Sequence, residues 1–438
     1  MNTYPTTSFL DLCRLGSRLL KAAVRAPRSF DPSLVLHDWM KDLTVRYHSA
    51  NVVLNLLALR LLLVTDQNLS RHILAGQPRT TAYVAGTLKR KAMSYLAPQA
   101  LTITDDAAWQ RLRPFNERVL CAGRPHDFQR EFLGHARRAF SGPVATVADV
   151  RDRMGQAMLN IVFGERVAPE RLSADIRVLF GLVQSPLKRL LWGAIERRRL
   201  RVLYGSLRQA WGGLAGQGGQ RSDGAARTSL LGIARAAGAD GNPEALLQQM
   251  PHWMFTFSGS GADLLARGLA LIGSRPEVLA GVRREIAGAG PLDAPASIDR
   301  LRYLEACLLE AGRLFPPVTR TFHRAPAGDV MMGTRIPPGS EILHVFSLTQ
   351  RDRAADETAN AFHPERWLDT PAKAAAAYPN VFLSGARHCP GRELILFVCK
   401  GAAAMLVAES GLSVHCDVLA RDPVPFTFPE KLVRFRTS

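Results

Sequence analysis

The chain has 438 residues, of which 47% are hydrophobic and 21% are charged, a balance that excludes intrinsic disorder and indicates a globular protein. Lysine and arginine outnumber aspartate and glutamate by 56 to 38, which gives a formal net charge of +18. No nucleic-acid-binding motif accompanies this charge, and aromatic residues make up 7% of the chain, so we expect no nucleic-acid partner. No break in composition divides the chain, and we expect one domain over residues 1–438.

The first elements predicted in chain order are two short strands over 52–57 and 59–65 and a helix over 68–74. The most apolar stretch, 50–65, is too short to cross a bilayer and contains polar residues. Residues 1–11 lack the basic segment and apolar run of a signal peptide. We therefore expect no membrane anchor.

Most of the remaining chain has apolar residues at helical rather than alternating spacing. Strand patterns return over 330–345, and a stretch rich in Gly, Gln and Ser over 212–224 predicts a surface connector. The fold class predicted is mainly α with small β elements. The predicted helices cover 127–140, 147–163, 173–183, 187–209, 244–272, 276–286, 303–314 and 393–408.

One cysteine, Cys389, lies in the run FLSGARHCPG at 382–391. The glycines of this run let the backbone turn tightly beside a large flat ligand, and Arg387 places a positive charge near the sulfur. The helix predicted next puts Cys389 ahead of a helix N-terminus, which favours a thiolate. These features predict a metal-binding thiolate, whereas the other five cysteines lack metal-ligand spacing and are expected to be core thiols.

This run resembles the haem-ligating loop of the cytochrome P-450 family, Phe-x-x-Gly-x-Arg-x-Cys-x-Gly, at every specified position. Glu310 and Arg313 are similar to the family's Glu-x-x-Arg pair, and FHPERW at 362–367 is similar to its Phe-x-Pro-x-Arg-Trp segment. Arg366 is expected to close a buried network with the first pair. The resemblance implies a cytochrome P-450 fold with its haem-ligand loop at 382–391.

The resemblance also implies haem b, iron protoporphyrin IX, with Cys389 as the metal ligand. Trp109 and Arg113 are similar to a family pair that reaches a haem propionate, and residues four apart share a helix face. His388 is interpreted as solvent-side or structural, because adjacent residues cannot occupy opposite faces of one porphyrin. The predicted cofactor-binding residues are Trp109, Arg113, Arg324, Phe382, Arg387, Cys389 and Gly391.

The family's central helix normally carries an acid followed by threonine, which relay protons to dioxygen, whereas this chain reads TFSGSGAD at 256–263. Counting back from the Arg-Pro at 275–276 places Ser260 at the alcohol position and a glycine at the acid position. Aligning on Ser258 leaves Asp263 one place late. We prefer the first alignment, and the candidate catalytic residues are Ser260, Ser258 and Asp263. The glycines and serines would let the helix widen here.

The function implied by the resemblance is a haem-thiolate monooxygenase that inserts oxygen from O2 into a hydrophobic small molecule, such as a terpenoid or polyketide secondary metabolite. An external ferredoxin or flavodoxin with its reductase would supply electrons, and we expect a cytoplasmic monomer without a fused reductase domain. Because the usual acid and threonine are absent, two alternatives stay open. These are a peroxide-using or non-hydroxylating haem-thiolate enzyme, and a haem-binding recruitment protein without turnover. Substrate contacts are expected from 80–96, 179–201, 254–263 and 318–322.

Overall fold

A computed structural model describes residues 2–25, 32–56, 59–75, 83–164, 186–213, 228–237, 243–331, 333–353, 356–369 and 371–437. Helices predominate and strands are short, so the predicted fold class is confirmed. The helix predicted over 173–183 and most of the connector predicted over 212–224 lie outside the described residues.

The described residues form nineteen α-helices and ten β-strands. The α-helices are α1 (Phe9–Arg25), α2 (Pro32–Arg46), α3 (Gln67–Ala75), α4 (Thr87–Met93), α5 (Asp106–Val119), α6 (Gln129–Ala139), α7 (Val147–Phe163), α8 (Pro186–Gly213), α9 (Leu230–Ala237), α10 (Pro243–Leu247), α11 (Gln249–Phe255), α12 (Ala262–Gly273), α13 (Pro276–Ala289), α14 (Pro295–Asp299), α15 (Arg302–Leu314), α16 (Phe346–Thr349), α17 (Arg366–Asp369), α18 (Pro371–Ala377) and α19 (Arg392–Ala408). The strands are β1 (Asn2–Thr3), β2 (Asn51–Leu56), β3 (Leu59–Val64), β4 (Val84–Ala85), β5 (Arg320–Ala325), β6 (Asp329–Met331), β7 (Thr334–Ile336), β8 (Ser340–Val345), β9 (Ser413–His415) and β10 (Arg434–Arg436).

The first of two compact units comprises Met1–Lys89, Val318–Ala359 and Ala376–Arg387. Its main sheet has the strand order β2-β3-β8-β5-β4, in which only β3 and β8 are parallel. The predicted strands at 52–57 and 59–65 are confirmed as β2 and β3. The core of this unit contains Leu62, Val64, Leu69, Ile73, Tyr83, Ala325, Ile336 and Ile342.

The second unit comprises Arg90–Pro317, Asn360–Ala375 and His388–Ser438. Within it, α12 packs against α7, α13 and α15, and α19 packs against α6. Every residue of α19 from Leu394 to Val407 is buried, as expected for a helix that is apolar on all sides. Burial of α19 fixes the position of its N-terminus, and of the cysteine before it, in this unit.

Several sequence-based boundaries differ from the structure. The single helix predicted over 244–272 is wrong, because this stretch divides into α10, α11, a π-helical segment (Thr256–Gly261) and α12.

The prediction of core thiols is wrong for Cys13, which is exposed on α1. It is confirmed for the buried Cys121, Cys307, Cys399 and Cys416. Among the described residues, no helix has the length and apolar character needed to cross a bilayer.

Candidate active site

Cys389 lies at the start of α19 in the second unit and is half-buried. Burial raises the pKa of its thiol to about 11, although a hydrogen bond from the Gly391 N–H lowers it. The helix N-terminus alone is therefore not enough to produce the predicted thiolate. A further positive charge at the sulfur is needed to stabilise it. A bound metal ion would supply that charge, because a coordinating thiol loses its proton.

The side chains around Cys389 fit a metal ion whose other ligands come from a cofactor. Across the described ranges, no three His, Cys, Asp or Glu side chains cluster as a metal site. A bare ion would therefore find fewer than three such ligands here, whereas porphyrin iron needs only an axial thiolate. A Cβ on Gly391 would lie 2.8 Å from the Phe257 ring, so the loop backbone requires glycine at this close approach.

The preceding part of the loop belongs to the first unit and has an unusual backbone. Phe382, Leu383 and Gly385 have φ values of 64°, 60° and 72°, in the left-handed region that side chains disfavour. A Cβ on Gly385 would lie 2.6 Å from the Ala75 carbonyl oxygen at the end of α3. Left-handed non-glycine residues tend to cluster at functional sites, and here they shape the loop that leads to the cysteine.

The Arg113 guanidinium lies beside the cysteine loop within the second unit. Its Nη1 donates to the His388 carbonyl oxygen (2.6 Å), and its Nε donates to Glu117 (2.7 Å). Arg113 is buried, Trp109 is half-buried on the same helix, and His388 is exposed. The predicted pair is thus on α5, with Arg113 next to the residue that precedes the cysteine.

In the first unit, consecutive side chains of β5 point to opposite faces of the sheet. Arg324 is therefore on the other face from His323, which lies near Lys89 and Arg387. Arg324 faces outward, with half of its side chain exposed, and lies 3.9 Å from Glu341. The neighbouring His323 is buried, and its Nε2 has no hydrogen-bond partner within the described chain. Burial and the nearby cations Lys89 and Arg387 lower the pKa of His323. Sequence reasoning missed His323 and Lys89, and the two-residue period of β5 could have found His323.

The central helix widens where the sequence predicted it would. Thr256–Gly261 is π-helical between α11 and α12, and such segments are frequent at functional sites. Thr256 Oγ1 donates to the carbonyl oxygens of His252 and Trp253 at 3.0 and 3.1 Å. Ser258 Oγ is buried and has no hydrogen-bond partner among the described residues, while Ser260 is half-buried. Both serine hydroxyls can therefore accept a water or ligand.

Asp263, by contrast, is held by two arginines. Its Oδ1 accepts a hydrogen bond from Arg151 Nε (2.8 Å), and its Oδ2 accepts one from Arg267 Nη2 (2.7 Å). Arg151 also donates to both carboxylate oxygens of Glu430 (2.5 and 2.8 Å). The two arginines fix this carboxylate in position, which favours a structural role for it.

Glu310 is the centre of the predicted buried network. It accepts hydrogen bonds from Arg313 (2.8 and 2.9 Å), Arg366 (3.0 Å) and the Trp367 indole (2.9 Å). Burial alone would raise the pKa of Glu310, but the two arginines and the indole lower it below its ordinary value. The expected role of Arg366 is confirmed. The hydrogen bond from the Trp367 indole to Glu310 is a further contact that the sequence did not predict.

Comparison with known proteins agrees with this fold and these motifs. The family model Cytochrome P-450 matches residues 263–396. The chain is 34% identical to cytochrome P-450 94C1 of Arabidopsis thaliana and 32% identical to cytochrome P-450 monooxygenase pkfB of Emericella nidulans, over 35% and 41% of its length. These matches span 34% and 38% of the relatives, so the chain spans about a third of the length of the curated relatives it matches.

A solved structure extends the likeness over nearly the whole fold. The cyanobacterial CYP120A1 with retinoic acid bound superposes with a TM-score of 0.73, covering 92% of this chain and 94% of that one at 18% identity. The family model, the motifs and the curated relatives support a member of the cytochrome P-450 family, and the solved structure shows the same fold. Members of this family hold haem iron through a cysteine thiolate.

Proposed function

We propose that the chain is a haem-thiolate monooxygenase that uses O2 to oxidise a hydrophobic small molecule, such as a terpenoid or polyketide. The observation that carries this proposal is the lone Cys389 thiol at the start of a buried helix within a cytochrome P-450 fold. The monooxygenase named among its relatives supports the reaction class, and the solved structure of similar fold binds retinoic acid, a largely hydrocarbon ligand with one carboxyl group. We further propose that residues 1–438 act as one domain, with the haem-ligand loop at 382–391.

The cofactor proposed is haem b, with Cys389 as the axial ligand. Bound haem iron would supply the activation of dioxygen. Arg113 is already buried beside the loop and offers guanidinium N–H groups suited to a propionate carboxylate, with Trp109 one turn away on α5. Arg387, two residues before the cysteine, is a further candidate for a propionate. Arg324 stays a candidate, but its exposure favours the other cations.

For proton delivery we propose Ser260, with Ser258 in a supporting role. Both belong to the π-helical segment, where the backbone is widened and the Ser258 hydroxyl lacks a partner among the described residues. A serine hydroxyl can hold a water and pass a proton along it. Both oxygens of the Asp263 carboxylate already accept a hydrogen bond from an arginine, which supports the alignment on Ser260.

Ser260→Ala is expected to keep substrate binding but to uncouple electron use from product formation. The substrate-induced spectral shift should persist, while product per electron pair falls about tenfold or more and peroxide rises, because the hydroxyl acts only in proton transfer. The measurement is product and peroxide per electron pair with O2 and a reconstituted donor.

Ser258→Ala and Asp263→Asn are the matched comparisons for this test. Fully coupled turnover in Ser260→Ala together with its loss in Asp263→Asn would assign the relay to Asp263. Product from peroxide alone in the wild type would establish the peroxide-using alternative. Haem binding without turnover under either condition would favour the other alternative, a haem-binding recruitment protein.

Electron supply is proposed from an external ferredoxin or flavodoxin with its reductase. Such donors are usually acidic, and the exposed Arg111 and Arg118 of α5 offer them a positive surface in the unit that holds Cys389. Lys400 lies on α19, but it is buried, and its Nζ donates to Glu305 (2.9 Å). Lys400 is therefore excluded from the docking surface.

We expect the rate of reduction by an acidic donor to fall about tenfold between low and high ionic strength, because salt screens the attraction. Arg111→Gln with Arg118→Gln should weaken this dependence. Arg284→Gln, which removes an exposed charge on α13, should not. Stopped-flow reduction rates across a salt series measure both, and flat rates in the wild type would show that charge does not guide docking.

A further inference from the structure

Helix α1 carries a row of exposed apolar side chains that the proposed reaction does not use. Phe9, Leu10, Leu20 and Val24 are 66%, 64%, 67% and 71% exposed. With about 3.6 residues per turn, Phe9, Leu20 and Val24 fall within about 60° around the helix axis, with the exposed Cys13 between them. The row therefore runs along the whole of α1, about 25 Å for its 17 residues.

The opposite side of α1 is firmly attached to the first unit. Asp11 is buried, and its carboxylate accepts hydrogen bonds from the Tyr47 hydroxyl (2.6 Å) and the Ser8 N–H (2.9 Å). The Trp39 indole of α2 donates to the Asp11 carbonyl oxygen (3.1 Å). The exposed row is thus a fixed feature of a packed helix.

The exposed charges of α1 all have one sign. Arg14, Lys21 and Arg25 are exposed, while the single acidic residue of the helix, Asp11, is buried. By helical spacing these cations lie along one edge of the apolar row. A helix with an apolar face flanked by lysine and arginine is the pattern that lies in the plane of a lipid interface.

We propose that α1 binds the surface of an anionic lipid bilayer, with the apolar row in the headgroup region and the cations against lipid phosphates. This is surface association and requires no membrane-crossing segment. A protein partner is disfavoured because the row has no Trp or Tyr, the side chains that usually anchor protein interfaces. Positive charge beside an apolar row matches an anionic lipid surface in both respects.

The test is flotation of the full chain with vesicles of phosphatidylcholine alone or with phosphatidylglycerol. We expect binding to the anionic vesicles that weakens with salt. Leu20→Ser with Val24→Ser, and separately Lys21→Gln with Arg25→Gln, should each reduce the bound fraction about tenfold or more. Leu432→Ser, which alters a 59% exposed leucine elsewhere, should leave binding unchanged. Equal binding by all variants, or none by the wild type, would overturn the proposal.

Cys13 allows an independent readout, because the other five cysteines are buried or half-buried. An environment-sensitive fluorophore on Cys13 should shift to the blue on addition of anionic vesicles but not of neutral ones. A shift that instead grows with protein concentration in the absence of lipid would assign the row to a second copy of the chain. A shift caused only by an acidic protein would assign it to that partner, and either result would contradict lipid binding.

Discussion

Glu310→Ala is expected to destabilise the second unit by about 3–5 kcal/mol, the usual cost of removing one partner from a buried ion pair. The Arg313 guanidinium is fully buried and Arg366 nearly so, and both would lose their carboxylate. The Trp367 indole N–H would lose its acceptor as well. A loss of this size is a large part of the stability of a typical domain, so soluble protein should be scarce and its urea midpoint much lower.

The control for this prediction is Glu277→Ala, which removes an exposed carboxylate from α13. Exposed substitutions of this kind usually change the free energy of unfolding by less than about 0.5 kcal/mol. Equal urea midpoints for the two variants would show that the Glu310 network contributes little to stability.

Cys389→Ser is expected to fold but to lose thiolate ligation, because a serine hydroxyl does not replace a thiolate as an iron ligand. Cys389 is half-buried, so the change of one atom should leave the urea midpoint of the haem-free variant close to that of the haem-free wild type. Haem content per protein after purification should fall strongly, and any haem retained should lack the thiolate spectrum.

Cys399→Ser is the matched control for the ligand. Its thiol is buried in α19, and Sγ lies 3.6 Å from the Gly261 carbonyl oxygen, a contact that a serine hydroxyl can also make. Haem content should therefore stay at the wild-type level. Loss of haem in Cys399→Ser but not in Cys389→Ser would show that Cys399 is the ligand and would contradict the assignment of Cys389.

The parts of the chain that sequence reasoning predicted well are those in which chemistry depends on spacing. Glu310, Arg313 and Arg366 could be placed together because they match the family's Glu-x-x-Arg pair and Phe-x-Pro-x-Arg-Trp segment in the right order, and residues three apart share a helix face. The glycines and serines of Thr256–Gly261 predicted the widened helix that the structure contains. Strands β2 and β3 followed from their composition and short length.

Other features depend on tertiary packing, which a sequence pattern does not reveal. The pKa of Cys389 follows from burial, which opposes the helix N-terminus. Lys400 looks like a surface cation in sequence, but it is buried against Glu305. Whether His323 or Arg324 faces the interior depends on which face of β5 is covered by the rest of the unit. The exposure of α1 likewise emerges only when its neighbours are in place.

The most direct test of the central claim is the carbon monoxide spectrum of the reduced, haem-loaded wild-type chain. Cys389 as a thiolate ligand predicts a Soret band at the strongly red-shifted position that only thiolate-ligated haem gives. A stable spectrum of the histidine-ligated type in folded, haem-replete protein would contradict the assignment of Cys389 and with it the proposed monooxygenase.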